Sequence, residues 1–235
     1  MIMRAVVLQS NYLPWRGYFD LIQCADIFVY YDEVQYTKND WRNRNRIRSK
    51  NGTHWLTIPI DHKAVKQRIS EVRLPKSTWQ QAHFKSLYYS YRPAPYFRQI
   101  EPLLNEFYQA RTWTLLAELN RYCIESIAGM LGITTRFVDS RSFLMDGDRV
   151  TRLVSLLQQI GATEYLSGPN ARAYLTGSEA VFEQAGIRVL FKSYAGYPDY
   201  PQLRAPFEPQ VSILDVLANV DLSDCRRCIT GQAPE

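Results

Sequence analysis

Residues 5–31 read AVVLQSNYLPWRGYFDLIQCADIFVYY, and this stretch decides the fold. An apolar run at residues 5–9 ends in a polar loop containing proline and glycine, which is the pattern of a buried strand leaving a sheet. Residues 18–25 are compatible with a helix, and residues 26–31 form a second buried run. A strand, a short helix and a strand within about 30 residues make a βαβ unit, whose two strands pair in parallel.

The same alternation of strands and helices returns after Gly132. Short apolar runs predict five strands in all, near residues 5, 27, 136, 164 and 189. We therefore predict one α/β domain over residues 1–235, with a mainly parallel Rossmann-like sheet of about five strands. Ligands bind such sheets beyond the carboxyl ends of the strands. The loops expected to converge on one crevice are residues 9–15, 32–35, 139–142 and 167–170.

Composition excludes several classes of protein. The 28 Lys and Arg against 23 Asp and Glu give a net charge of +5, which is modest for a nucleic-acid-binding protein. No window approaches about 18 apolar residues, and the first residues lack the pattern of a signal peptide, so we expect a cytoplasmic protein that does not enter the membrane. One CxxC pair, Cys225 and Cys228, supplies too few ligands for zinc. No metal or redox cofactor is indicated, and we expect the tail after Cys228 to be loose.

An inserted segment at about residues 40–130 interrupts the α/β rhythm. Arginine and asparagine alternate with a period of two in WRNRNRIR, residues 41–48, and Asn51-Gly52 before HWLTIPI predicts a β-hairpin. One face of this hairpin would carry four arginines together: Arg42, Arg44, Arg46 and Arg48. Residues 77–131 are predicted to be helical, in three pieces separated at Pro93, Pro95 and Pro102.

The arginine face is the main functional signal. Guanidinium groups bind phosphate or carboxylate through paired hydrogen bonds, and asparagine amides suit sugar hydroxyls or amides. The alternative is a solvated edge strand whose charges prevent aggregation. Tyr197, Tyr200 and Gln202 around Pro198 and Pro201 could form a wall over the crevice or a stiff loop that packs on the sheet. The substrate-binding candidates from the hairpin region, the predicted strand ends and this loop are Gln9, Asn11, Tyr12, Trp15, Gln35, Lys38, Asn39, Arg42, Asn43, Arg44, Asn45, Arg46, Ser167, Asn170 and Tyr200.

Two residues are candidates for acid–base catalysis. Asp32 follows the second strand and could act as a general base or could cap a turn. His83 lies in a helical segment and could present a base to the crevice or could be a packed histidine. No serine or cysteine partner for a catalytic triad is identified.

Several runs resemble the WbqC-like protein family. They are VLQSNYLPWRGYFDLI, DEVQYTKNDWRNRNRI, WLTIPI, YLSGP, YPQ and SILDVLAN. The resemblance extends over nearly the whole chain and implies a role in surface-polysaccharide, modified-sugar or secondary-metabolite biosynthesis. Many members have a histidine where this chain has Leu8, so a mechanism that uses that imidazole does not carry over.

A second resemblance comes from the order of elements at residues 5–31, which is similar to the opening of the HxGH nucleotidylyltransferases. The four corresponding positions are Trp15, Arg16, Gly17 and Tyr18, and both histidines are absent. The implied relationship concerns the fold, since the adenylylation chemistry depends on those histidines.

The favoured hypothesis is a transferase that moves an acyl or aminoacyl group to an amine. Its partner would be an anionic small-molecule substrate, nucleotide-linked or phosphorylated, or a substrate linked to a carrier protein. Arg42, Arg44 and Arg46 would hold phosphates, and Asp32 or His83 would accept a proton. The alternatives are an ATP-dependent nucleotidyltransferase-like enzyme and a noncatalytic ligand-binding or scaffold protein. Nucleic acid is disfavoured as a partner, with tRNA left open as an acyl donor.

Overall fold

A five-stranded parallel sheet forms the centre of the computed structural model, which describes residues 2–233 apart from the side chains of His62 and Tyr174. The strand order is β5-β2-β1-β6-β7, and every neighbouring pair is parallel. The strands are β1 (Arg4–Leu8), β2 (Ile27–Tyr30), β5 (Arg136–Asp139), β6 (Glu164–Ser167) and β7 (Arg188–Phe191). The predicted α/β class and the five predicted strand positions are confirmed.

Helices cover both faces of the sheet because alternate side chains of the strands point to opposite sides. Val6 and Phe28 pack on one side, together with apolar residues of α1, α4, α8 and α9, whereas Val7 and Val29 pack on the other side with α5, α6 and α7. These helices are α1 (Arg16–Gln23), α4 (Leu116–Met130), α5 (Arg149–Gln159), α6 (Arg172–Leu175), α7 (Glu179–Gln184), α8 (Ile213–Asn219) and α9 (Leu222–Ile229). None of the helices within residues 2–233 is long and apolar enough to cross a bilayer.

The inserted segment between β2 and β5 contains the predicted hairpin. Strands β3 (Arg44–Ser49) and β4 (Gly52–Thr57) pair antiparallel, with Ser49 opposite Gly52. Gly52 has a φ of +100°, a conformation that glycine adopts without steric cost. Two helices follow, α2 (Trp79–Tyr91) and α3 (Phe97–Asn105), before α4.

The prediction that Pro102 separates two helical pieces is wrong. Pro102 lies inside α3, and the chain continues directly into a single π-helical turn at Glu106–Ala110. Proline removes one backbone donor and crowds the carbonyl four residues earlier, but the helix continues past it here. The wide turn that follows keeps Phe107 and Tyr108 buried in the core.

A buried ion pair joins the amino-terminal and carboxyl-terminal parts of the chain. Lys192 follows β7 and is 2% exposed, and its Nζ lies 3.0 Å from Oδ2 of the fully buried Asp20 on α1. The carbonyl of Gln232 also accepts from Lys192, and the amide of Gly231 donates to Asp20 over 3.1 Å. The expectation of a loose tail after Cys228 is therefore wrong as far as Gln232, because these backbone groups satisfy the buried charges.

We expect Lys192→Met to lower the free energy of unfolding by about 3–5 kcal/mol, because it leaves the carboxylate of Asp20 buried without its counter-charge. Urea titration at neutral pH measures this change. The matched control is Arg227→Met, which removes an exposed partner 3.9 Å from Asp224 and is expected to change stability by less than about 0.5 kcal/mol. Equal effects of the two substitutions would contradict the assignment.

Candidate functional site

A cavity of about 710 Å³ opens at the carboxyl ends of β1 and β6. From β1, the strands β2 and β5 follow on one side of the sheet, and β6 and β7 follow on the other side. The strand order therefore reverses between β1 and β6, which is the topological switch point. Their ladder includes only Arg4 with Glu164 and Ala5 with Tyr165. The two strands therefore separate before they end, and this is where open α/β sheets bind ligands.

The loop that leaves β1 is fixed by buried polar side chains of the inserted segment. Nδ2 of Asn45 donates to the carbonyls of Tyr12 and Leu13, over 3.1 and 2.7 Å. Leu13 has a φ of +42°, an unfavourable conformation for a branched residue, and these bonds help to hold it there. The amide of Tyr12 donates to the carbonyl of Trp41 over 2.9 Å. The hairpin and the loop thus form one wall of the cavity.

Arg42 lies in this wall with its guanidinium held by two neutral amides. Nη2 donates to Oε1 of Gln9 over 3.0 Å, and Nη1 donates to Oδ1 of Asn11. The nearest carboxylate oxygen, Oδ2 of Asp40, is 3.6 Å away. Burial acts to raise the pKa of Asp40, but the charge of Arg42 and a hydrogen bond from Thr37 outweigh it and lower that pKa. A guanidinium has five N–H donors, so Arg42 retains donors for a ligand.

The start of α1 lines the opposite part of the cavity. No side chain caps this helix, although the amide of Tyr18, in its first turn, donates to the carbonyl of Trp15 over 3.0 Å. Arg16, 3% exposed, donates through Nη1 to the carbonyls of Pro198 and Cys228, and its Nε has no partner among the described residues. A Cβ at Gly17 would overlap the indole of Trp15, so glycine allows that ring to fold over the helix start.

Aromatic side chains after β7 close the cavity. The ring of Trp15 packs edge-on against Tyr194 and Tyr197, with centroids 5.0 and 6.0 Å apart. Tyr197 donates to Oδ2 of Asp20 over 2.7 Å, which ties this wall to the buried ion pair. Burial and the nearby charge of Asp20 raise the pKa of both tyrosines, so both hydroxyls stay protonated at neutral pH.

The structure brings six of the predicted substrate-binding residues together around this cavity. They are Gln9, Asn11, Trp15, Arg42, Asn45 and Asn170. The other nine are outside its lining, and so are both predicted catalytic residues. The nine are Tyr12, Gln35, Lys38, Asn39, Asn43, Arg44, Arg46, Ser167 and Tyr200.

The predicted face of four arginines does not lie over the cavity. Arg44 stacks on the ring of Trp55, Arg46 pairs with Glu208 over 2.9 Å, and Arg48 donates to the carbonyls of Arg204 and Pro206. The asparagines and Ile47 on the other face point inwards, because amides can satisfy the loop carbonyls at lower cost than a charge. Of the four arginines, only Arg42, which precedes the strand, reaches the lining.

Asp32 is buried and fully engaged at the end of β2. It accepts from the amide of Ser10 over 2.8 Å and from Nε of Arg121 over 3.0 Å, and Nη2 of Arg121 completes the ion pair at 2.9 Å. Arg121 also pairs with Asp139 at the end of β5, and Arg141 reaches the same carboxylate. Burial acts to raise the pKa of Asp139, but these two arginines outweigh it and lower the pKa to about 2. The ends of β2 and β5 are therefore occupied by an ion network.

His83 connects the inserted segment to the loop that leaves β1. Its Nδ1 is 2.8 Å from the hydroxyl of Tyr12, which also contacts the hydroxyl of Tyr108, and its Nε2 is 3.2 Å from the carbonyl of Thr57. Burial lowers the pKa of His83 to about 4, against a weaker opposing effect of the Thr57 carbonyl. The imidazole is therefore neutral at neutral pH and joins α2 to the hairpin and to the β1 loop.

The remaining predicted residues have structural contacts. The side-chain amide of Gln35 donates to the carbonyl of Val65, and that of Asn43 donates to the carbonyl of Ile58. The backbone carbonyl of Asn39 accepts from Arg44. The Ser167 hydroxyl accepts from Tyr165, and Tyr200 donates to the buried Asp215 over 2.7 Å. Lys38 is exposed.

The sequence did not predict most of the cavity wall that the residues after β7 form. Of the expected wall residues, Tyr197 lines the cavity, whereas Tyr200 and Gln202 do not. The additional lining residues with functional groups or rings are Arg16, Tyr18, Trp41, Tyr194, Asp199, Phe207 and Gln210. Residues 192–210 contain no regular helix or strand, so periodicity gives no signal there. The density of tyrosine and proline in YAGYPDYP, residues 194–201, is the one signal in that segment.

A neutral, buried His83 predicts a specific pH dependence. Between about pH 6.5 and pH 4 the unfolded chain binds a proton at this residue and the folded chain does not, so the stability that it contributes falls as the pH drops. His83→Gln removes this dependence. We expect its destabilisation relative to wild type to shrink by roughly 2 kcal/mol between pH 7 and pH 4.5 in paired urea titrations. A constant difference would show that the imidazole is not held neutral.

Comparisons with known proteins agree with the runs that carry the resemblance. The sequence pattern of the WbqC-like protein family matches residues 9–226. A relative from Mycobacterium tuberculosis (strain ATCC 25618 / H37Rv), described as "Uncharacterized protein Rv1507c", is 45% identical over 218 residues, which cover 92% of this chain and 94% of the relative. No solved structure matches the chain. On the extent of both matches, the chain belongs to the WbqC-like protein family.

Proposed function

We propose that the protein is a transferase-type enzyme that holds a phosphorylated, nucleotide-linked or carrier-bound substrate in the switch-point cavity. The supporting observation is the charge of its lining. Arg16 and Arg42 both reach the cavity with carbonyl or amide oxygens as their hydrogen-bond partners, and Asp199 is the one carboxylate in the described lining. An uncapped helix start beside two guanidiniums favours an anionic group.

The reaction that we favour is transfer of an acyl or aminoacyl group to an amine, in surface-glycan or secondary-metabolite biosynthesis. This finer assignment rests on the family resemblance. The amine nitrogen would attack the acyl carbon, a C–N bond would replace the bond to the donor, and the proton of the amine would pass to a base. We assign that base to Asp199, which is exposed in the lining, because Asp32 and His83 are buried in other contacts.

A second candidate is nucleotidyl transfer. The observation that favours it is the order β1, loop, α1, in which the helix start follows the first strand and opens on the cavity. Here the phosphates of a nucleoside triphosphate would lie at Arg42 and α1. An oxygen of the phosphorylated substrate would bond to the α-phosphorus, and the bond from that phosphorus to pyrophosphate would break. Release of pyrophosphate from a nucleoside triphosphate separates this reaction from acyl transfer.

Inorganic pyrophosphate is the simplest probe of the anion site. A ligand that binds only the folded state adds about 2.7 kcal/mol of stability at 100 times its Kd. We expect pyrophosphate to raise the Tm of the wild type. Arg42→Ala is expected to weaken binding at least roughly ten-fold, because hydrogen bonds to a charged group contribute about 1.5–3 kcal/mol. Each variant is compared with its own ligand-free Tm.

The matched control is Lys50→Ala, which removes the same charge from the exposed hairpin turn, outside the lining. It is expected to leave the affinity for pyrophosphate within about two-fold, since exposed charges are screened by salt. If pyrophosphate fails to stabilise the wild type, or if both variants lose affinity equally, the anion site is not where we place it.

Asp199→Asn tests the same site by removing a negative charge from the lining. Removal of a like charge from the lining is expected to strengthen pyrophosphate binding by roughly two- to five-fold at low salt. The side chain is exposed, so the fold is expected to tolerate the change. Calorimetric titration of wild type and variant gives the two affinities. A weaker complex would place the anion away from Asp199.

A further inference from the structure

Two exposed tryptophans form a continuous aromatic surface beside the cavity. Trp41 precedes β3 and is 42% exposed, and Trp55 on β4 is 43% exposed. Their ring centroids are 5.4 Å apart, with 40° between the planes. Single exposed apolar side chains are common, whereas two adjacent exposed rings at the edge of a cavity offer a surface for a planar ligand. We call these two residues the tryptophan platform.

Neighbouring residues hold both members of the platform in place. The carbonyl of Trp41 accepts from Tyr12, and its amide donates to Asp40 over 2.7 Å, so its backbone is fixed on the β1 loop. The guanidinium of Arg44 lies 4.3 Å from the centroid of the Trp55 ring and donates to the carbonyl of Asn39. The rings are therefore ordered before a ligand arrives, which reduces the entropy lost on binding.

The platform is continuous with the cavity, because Trp41 belongs to both. It lines the cavity together with Arg42, the next residue in the chain. A ligand whose phosphate lies at Arg42 would therefore extend over the indole of Trp41 when it leaves the mouth. Arg44 adds a positive charge on that path without lining the cavity itself.

We infer that the tryptophan platform stacks the nucleobase of a nucleotide-linked substrate whose phosphates bind at Arg42. This inference rests on the proposed function and names its substrate class. Proteins hold unpaired bases by stacking them on aromatic rings beside arginine, and they do so with little preference among bases. The base lies outside the cavity and the phosphates at its mouth, so the interior near Tyr194 and Tyr197 receives the group that is attached to the phosphates.

The test compares ligands with and without a base. Calorimetric titration of the wild type with uridine diphosphate, adenosine diphosphate and inorganic pyrophosphate is expected to give a Kd about ten-fold lower for the two nucleotides. Trp55→Ala and Trp41→Ala are both expected to remove this ten-fold gain, and Trp55→Ala is expected to leave pyrophosphate binding within about two-fold. Trp55 is outside the cavity lining, so its variant separates loss of stacking from damage to the cavity. Tyr89→Ala, at an exposed ring of α2 outside the lining, is the control.

The outcomes distinguish this inference from the proposed function. If pyrophosphate binds and the nucleotides bind no more tightly, or if both tryptophan variants retain the nucleotide preference, the platform does not stack a base. If glucose 1-phosphate shows the tryptophan-dependent gain in place of the nucleotides, the platform binds a sugar face and the base assignment is wrong. If neither pyrophosphate nor nucleotides bind the wild type, the proposed anion site fails, and this inference fails with it.

Discussion

The loop that leaves β1 is the part of the molecule on which the site depends. Its backbone groups have left the sheet, so they need other hydrogen-bond partners in a buried environment. Asn45 satisfies the carbonyls of Tyr12 and Leu13, Asp32 accepts from the amide of Ser10, and Nδ2 of Asn120 on α4 donates to the carbonyl of Arg42 over 2.8 Å. These bonds dock the hairpin against the switch point of the sheet. Arg42 can face the cavity because the β1 loop, which carries its partners Gln9 and Asn11, and the hairpin are both fixed in this way.

The proposed site rests on a contrast between cations balanced by buried carboxylates and cations held mainly by neutral groups. Lys192 and Arg121 are balanced by buried carboxylates and hold the architecture together. Arg16 and Arg42 are held mainly by carbonyl and amide oxygens, which orient a guanidinium without neutralising it. Asp40 lies 3.6 Å from Arg42 but is partly exposed, and a cation oriented mainly by neutral groups beside a helix start is suited to an anionic ligand. Trp41, the residue before Arg42, also lines the cavity and links the proposed anion site to the exposed aromatic surface.

The sheet could be predicted from the sequence because buried parallel strands appear as short apolar runs, and the hairpin because Asn51-Gly52 specifies its turn. The direction of the hairpin faces could not. A period of two shows that Arg44 and Arg46 share a face. Which face of the hairpin is buried depends on the side chains that satisfy the distant carbonyls of the β1 loop. Asp32 shows the same limit, since its partner Arg121 lies 89 residues further along the chain. Contacts of this kind depend on tertiary structure and leave no local pattern.

A crystal structure with adenosine diphosphate tests the central claim, that the switch-point cavity is an anion site built around Arg42. The account predicts phosphate oxygens within hydrogen-bonding distance of the Arg42 guanidinium and of the first amides of α1. It would be contradicted if well-defined phosphates lay on the outer face of the hairpin at Arg46, or at the ion network of Arg121, while the cavity held only solvent.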